Sequence, residues 1–176
     1  MSGKIIGEAI AQARDYVRKH PKEARYADSS ATATIENGLR CRVVGPKGAV
    51  LVSDMTTAVG GAGSAPSPGW LMRAAHASCD ATLIAMKAAE EGVALSRLEV
   101  VVDSESDDRG LLGLSGEVPA GPLSMRVRVA IEAEGVSAER LREIVEWARE
   151  HSPVDDAIRR AVPLTVEIQT GEAVSR

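Results

Sequence analysis

Apolar and polar residues follow three different rhythms along this chain, and each rhythm predicts a kind of element. Near the start, Ile6, Ile10, Ala13 and Val17 recur at helical spacing among charged positions. Residues 3 to 19 therefore predict an amphipathic helix that covers the core or a partner subunit and is stopped by "HPKE" at Pro21. From 30 to 55 the period shortens to two: "ATATIE", the turn "NG", "LRCRVV", the turn "GPKG" and "AVLVSDM" predict two successive hairpins, a three-stranded meander. The stretch "VGGAGSAPSPG" reads as a loop rather than an interdomain linker, because the next helix begins immediately.

In that next helix the third rhythm, a nearly unbroken apolar run, takes over. Ser67 and Pro68 supply an N-cap and a first-turn proline, and the pattern continues to Gly92. At 1.5 Å per residue this is roughly 36 Å of helix. Between Ala74 and Met86 only His76, Ser78, Asp80 and Thr82 are polar, so protein must cover most of its circumference. Further on, "RLEVVVDSE" (97–105), "LLGLSGEV" (111–118) and "LSMRVRVAIEAE" (123–134) predict three strands. The last of them sets Met125, Val127, Val129 and Ile131 against Arg126, Arg128 and Glu132. "SAERLREIVEWAREH" predicts a helix capped by Ser137 with Leu141, Ile144, Val145 and Ala148 inward, "SPVDDAIRRA" a short helix, and "PLTVEIQ" a closing strand.

This order predicts an α+β fold in one domain, with two mainly antiparallel sheets around a long central helix. Two small sheets can hardly cover so apolar a helix on all sides. A homodimer that wraps two such helices together would.

Composition narrows the picture. The 176 residues suit a single domain able to bury a core, and with no Phe and only Trp70, Trp147, Tyr16 and Tyr26 as aromatics, that core must be built from Ala, Val, Leu, Ile and Met. Lys and Arg number 21 against 25 Asp and Glu, a formal charge of −4 without like-charge blocks, which argues against a nucleic-acid partner. Glu8, Arg14 and Asp15 interrupt the stretch a signal peptide would need, and no run reaches the length of a membrane span. Two cysteines, Cys41 and Cys79, without a CxxC fit thiols kept reduced in the cytoplasm, where the sequence places the protein.

The candidate chemistry centres on Cys79. His76 precedes it by three positions, about 60° around the same helix. Arg73, His76, Asp80 and Lys87 form a narrow polar stripe beside it. A thiol beside a cation or an imidazole can ionise near neutral pH, and the thiolate is the form that attacks. A free cysteine is equally at home as a small buried hydrophobe, and both readings stand at this point. HxxC on a helix supplies at most two metal ligands where zinc wants three or four, so no metal and no other cofactor is expected. Cys41 lies mid-strand on the face of Val43, a core position. A hydrolase using Ser152 with His151 is disfavoured, because neighbours in sequence rarely present a base correctly to a nucleophile.

Together, "SPGWLMRAAHASCDATL" and, about seventy residues later, "HSPV" ahead of a short helix resemble the OsmC/Ohr family (osmotically inducible protein C and organic hydroperoxide resistance protein). The resemblance spans residues 28–170 and leaves 1–27 as an N-terminal helical extension. It implies an intertwined homodimer with two central helices packed between sheets. It also implies thiol peroxidation: a peroxidatic cysteine on the central helix, a resolving cysteine before the short helix, an arginine from the N-terminal hairpin, and a glutamate ten positions before the peroxidatic thiol. Cys79 matches the first of these. Ser152 stands at the resolving position and Gly69 at the glutamate, while Arg40 or Arg42 answers to the arginine.

Ser152 also has a structural explanation as the N-cap of "SPVD", with Asp155 placed to answer the cap, worth about 1 kcal/mol over alanine. Two functions follow from the resemblance and its departures. One is a one-cysteine peroxidase for organic hydroperoxides, in which Cys79 attacks, Arg40 or Arg42 stabilises charge, and an external thiol reductant resolves the sulfenate; His76 and Ser152 complete the candidate site. The other is a family member that binds a small apolar molecule or senses oxidation without turnover.

Overall fold

In the computed structural model, which describes residues 3–170, the elements follow one another as helix, meander, central helix, hairpin and two closing helices. The first helix, α1 (Gly3–Lys19), lies along the C-terminal half of the central helix. Gly7 is what lets it approach: a Cβ there would fall 2.9 Å from the carbonyl oxygen of Ala89. Arg14 then reaches across to an ion pair with Glu90.

The meander forms as the alternation predicts, with β1 (Thr32–Asn37), β2 (Arg40–Val44) and β3 (Val50–Ser53) antiparallel in that order. Gly38 turns the first hairpin with φ of +56°, and Lys47 in the second adopts a left-handed φ of +54°. Cys41 and Val43 share the half-buried face of β2. Among the described residues no helix makes a substantial contact with any of these strands, and Ile35 and Leu51 are exposed.

The central helix, α2 (Pro68–Glu90), begins as the sequence indicates: Ser67 Oγ accepts from the backbone N–H of Trp70, and Pro68 occupies the first turn. Its C-terminal half is packed on both sides. Ile84 and Ala88 interlock with Ile144 and Ala148 of α4 (Ala138–Glu150), and Leu98, Val100, Val129 and Ile131 close the core from β4 (Leu95–Glu105) and β5 (Ser124–Ala133). The two strands form one long antiparallel ribbon in which Val100 faces Val129 and Val102 faces Val127. The N-terminal half of α2 is less well covered: Trp70 and Ala75 are exposed, and Leu71 and Met72 only half-buried.

Two predicted strands are not strands. Residues 111–118 instead continue from a single helical turn, α3 (Asp108–Leu111), into a compact irregular loop. Asp107 caps that turn by accepting from the N–H of Arg109 at 2.9 Å, and a Cβ on Gly110 would collide with the Pro119 carbonyl at 2.2 Å. Gly110 thus serves close packing and Gly113 a left-handed turn with φ of +66°, rather than a ladder. The closing segment 163–169 has no strand partner among the described residues, and Leu164, Val166 and Ile168 stand 86%, 72% and 82% exposed. The final helix, α5 (Pro153–Arg159), packs against α2 and α4 and brings its first turn to the middle of the central helix.

Candidate functional site

Cys79 is half-buried midway along α2, and both cysteines are free thiols. The nearest reactive neighbour comes from α5. Ser152 is completely buried; its Oγ accepts from the backbone N–H of Asp155 at 3.3 Å, which caps the helix, and donates to Cys79 Sγ at 3.3 Å. The cap and the thiol contact are made by one hydroxyl, so the residue that starts α5 also fixes its distance from sulfur.

Beside this pair lies a buried cluster of one imidazole and two acids. His76 Nε2 sits 3.4 Å from Asp80 Oδ2, one turn further along α2, and 3.4 Å from Asp155 Oδ1 of α5. All three side chains are almost fully buried, and neither imidazole nitrogen nor either Asp80 oxygen has a hydrogen-bond partner among the described residues. Two acids from different helices thus face one imidazole, while Arg159 Nε at 3.2 Å and Arg149 at 3.8 Å approach Asp155 from outside. The side chain of Asp155 does not answer the Ser152 cap, as the spacing suggested. It turns to the His76 imidazole and to Arg149 and Arg159, whose guanidinium groups offer a buried carboxylate more than one backbone N–H does. The sequence sets Asp80 beside His76 in one polar stripe, whereas Asp155 was not legible as its second partner; the only hint was an acid three residues after a capping serine.

The polar stripe on α2 does not face one solvent channel. Lys87 pairs with Glu90 and Glu91 and lies over the Trp147 ring at 4.7 Å, and Arg73 donates to Ser104 Oγ at 3.1 Å. His151 stacks on Trp147 with its Nδ1 2.7 Å from the Trp147 carbonyl oxygen, so it is turned to the surface and not to Ser152.

Arg40 and Arg42 stay on the meander. Arg40 donates to Ser64 Oγ at 2.8 Å and lies 3.6 Å from Glu36, which Arg42 also approaches at 3.8 Å. Among the described residues of one protomer, no hydrogen bond joins either guanidinium to Cys79. Through Ser64, Arg40 is linked to buried Asp54, which accepts from the backbone N–H and hydroxyl of Ser64 and from the N–H of Met55. Those bonds, the Ser64 backbone N–H foremost, hold the Asp54 carboxyl below its ordinary value and tie down the loop that leads into α2.

Near the start of α2, Gly69 opens a cleft of about 530 Å³. Among its walls are Met55, Met72, Arg73, Leu111 and Pro122. No group of His, Cys, Asp and Glu with the geometry of a metal site occurs among the described residues. No helix among them is long and apolar enough to cross a membrane.

Fold and site together define an α+β protein that holds a single half-buried thiol on a long central helix, against the capped start of a second helix. A family model described as OsmC-like protein matches residues 61–167, and the chain belongs to that family. Its architecture is shared by an organic hydroperoxide resistance protein OsmC from Legionella pneumophila, 21% identical with a TM-score of 0.56 over 77% of this chain and 91% of that one. An OsmC-like protein from Mycoplasma pneumoniae is similar at 10% identity and a TM-score of 0.65, over 78% and 91%. One from Vibrio cholerae, described as of unknown function, is similar at 12% and 0.62, over 75% and 94%. At these identities the likeness establishes the fold. No curated protein matches the chain.

Proposed function

We propose that this protein is a one-cysteine thiol peroxidase that reduces organic hydroperoxides in oxidative stress defence, acting as a homodimer in a reducing cytoplasm. The observation that carries the reading is the contact between Ser152 Oγ and Cys79 Sγ at 3.3 Å, which gives a half-buried helical thiol a hydroxyl partner instead of a second thiol. The Cys79 thiolate attacks the terminal oxygen of the hydroperoxide. The O–O bond breaks, the alkoxide leaves and takes up a proton, and sulfur is oxidised to sulfenic acid. Cys41 is on the meander and Ser152 has no sulfur, so the sulfenate waits for an external thiol. That thiol forms a mixed disulfide and releases water; a second thiol, or the other arm of a dithiol, then frees Cys79.

The homodimer reading rests on surfaces that one protomer leaves open: the N-terminal half of α2, the meander and the 163–169 segment. No hydrogen bond or ion pair within one protomer brings Arg40 or Arg42 to Cys79, so in this reading the guanidinium comes from the meander of a second copy. The same observation favours the second reading, a module that binds a small apolar molecule or registers oxidation without turnover.

Peroxide consumption separates the two. Reduced protein mixed with cumene hydroperoxide and a dithiol should consume peroxide catalytically, wild type should trap as a sulfenate, and Cys79→Ser should do neither. One-time oxidation without turnover would favour the sensor, and no reaction of Cys79 would leave a binding module.

A further inference from the structure

The last helix, α5, is held to the protein mainly by its first turn. It is seven residues long, too short to persist alone, and of those seven only Asp155 is buried, while Ala157 and Ile158 are exposed. Two attachments join that turn to α2. Asp155 Oδ1 faces His76 Nε2 at 3.4 Å, and Ser152 Oγ accepts from the Asp155 N–H while donating to Cys79 Sγ. The remaining ties run through exposed Arg159, to the Asp155 carboxylate and the Arg149 carbonyl. Ser152 is 0% exposed, and Cys79 Sγ is the one acceptor of its hydroxyl proton among the described residues.

At 3.3 Å the oxygen of Ser152 and the sulfur of Cys79 are already in contact, and no further atom fits between them. Oxidation puts an atom on that sulfur. The thiolate attacks the terminal oxygen of an organic hydroperoxide, the O–O bond breaks, the alkoxide leaves and takes up a proton, and sulfur becomes a sulfenate. An oxygen pointing toward α5 displaces the Ser152 hydroxyl. An oxygen pointing away draws the negative charge off the sulfur, and a buried donor must then turn to follow it or stay unpaired. In both orientations one hydroxyl can no longer serve the sulfur and the helix cap together.

We propose that α5 is a redox-sensitive latch: modification of Cys79 sulfur breaks the Ser152 cap and frees the first turn of α5 from the central helix, and reduction by an external thiol reseats it. Opening the latch uncovers the oxidised sulfur to the thiol that must reduce it, and carries the state of a half-buried atom to a surface helix. The inference rests on the proposed function for its oxidant alone; the coupling of sulfur to helix belongs to the contact itself.

Hydrogen–deuterium exchange on the full chain reads the latch. Cys79 is oxidised with cumene hydroperoxide or, independently of any peroxidase chemistry, capped with methyl methanethiosulfonate, which places a methylthio group on the same sulfur; peptide masses confirm each state. In both states the amides of 154–160 should exchange about fivefold faster or more than in reduced protein, the equivalent of one lost N-cap, while those of 141–149 in α4 stay protected. Dithiothreitol should restore the slow rate. Ser152→Ala should be fast already when reduced and unchanged by modification, and Cys79→Ala, modified at Cys41 alone, should not respond. Protection of α4 shows that each variant is folded. Unchanged exchange in modified wild type, an equal rise in α4, or a thiol that neither reagent reaches in the native protein overturns the proposal. If methylthiolation frees α5 while hydroperoxide leaves Cys79 intact, the latch stands and the peroxidase reading falls.

Discussion

The hydroxyl of Ser152 donates to the sulfur of Cys79 across 3.3 Å, although the two residues are 73 positions apart in the chain. Three features meet at this contact: α2 carries the thiol, α5 starts at the serine, and the His76–Asp80–Asp155 cluster lies between the two helices. Each can be perturbed separately.

Replacing Ser152 with cysteine should install the missing second sulfur. The side chains are already near contact, and a modest rotation brings two sulfurs to the roughly 2.05 Å of a disulfide. After one equivalent of hydroperoxide, Ser152→Cys should lose two hydrogens in intact mass and show a cross-link between positions 79 and 152 in a non-reducing peptide map, whereas wild type should give a trappable sulfenate. The variant should also unfold more easily, by about 1 kcal/mol, because a thiol caps a helix poorly. A sulfenate persisting in the variant would mean that α5 cannot bring the second sulfur to bonding distance.

His76→Leu should be among the most destabilising changes in the protein. It removes the imidazole that lies 3.4 Å from both buried acids, Asp80 and Asp155, a loss of about 3 kcal/mol for buried polar groups deprived of their partner. Urea denaturation measures it. A smaller loss in the double variant His76→Leu/Asp80→Leu would show that the uncompensated acid, and not the lost volume, is responsible.

Acid should loosen the loop before α2. Because the Asp54 carboxyl titrates below its unfolded value, its contribution to stability is complete above about pH 4 and disappears as pH falls through the lower, folded value. Asp54→Asn should remove this segment of the acid-denaturation profile, and amide exchange at Met55 and Ser64 should accelerate in wild type over the same interval.

Much of this architecture is written in local periodicity. The α1 boundaries, the meander, the caps of α2, α4 and α5 and the inward face of β5 all follow from spacing and capping chemistry, because neighbours in sequence decide them. The segment 111–118 misleads because its apolar residues alternate while Gly110 answers to Pro119, a contact between loop positions that periodicity does not register. In 163–169 the alternation is present, but no ladder partner exists among the described residues of the same protomer. At the site, Cys79 and Ser152 were legible as candidates, yet their contact, the second acid on His76 and the engagement of Arg40 with Ser64 depend on long-range packing.

That missing ladder partner leads to a prediction about assembly. If a second copy covers the exposed Leu164, Val166 and Ile168, replacing all three with serine should leave the α2–α4 core folded and weaken self-association. Sedimentation velocity over a concentration series should show a dimer for wild type and a shift toward monomer of about tenfold or more in dissociation constant for the triple variant, given the apolar area removed. An unchanged dimer would assign the segment to another role.

The meander's isolation bears on how the protein is made. Residues 32–53 leave the ribosome before α2 does, as a small sheet whose outer strands β1 and β3 offer unpaired backbone to any passing strand. Among the described residues no helix makes a substantial contact with these strands, so growing chains are expected to pair at these edges, and slowing translation should raise the soluble yield.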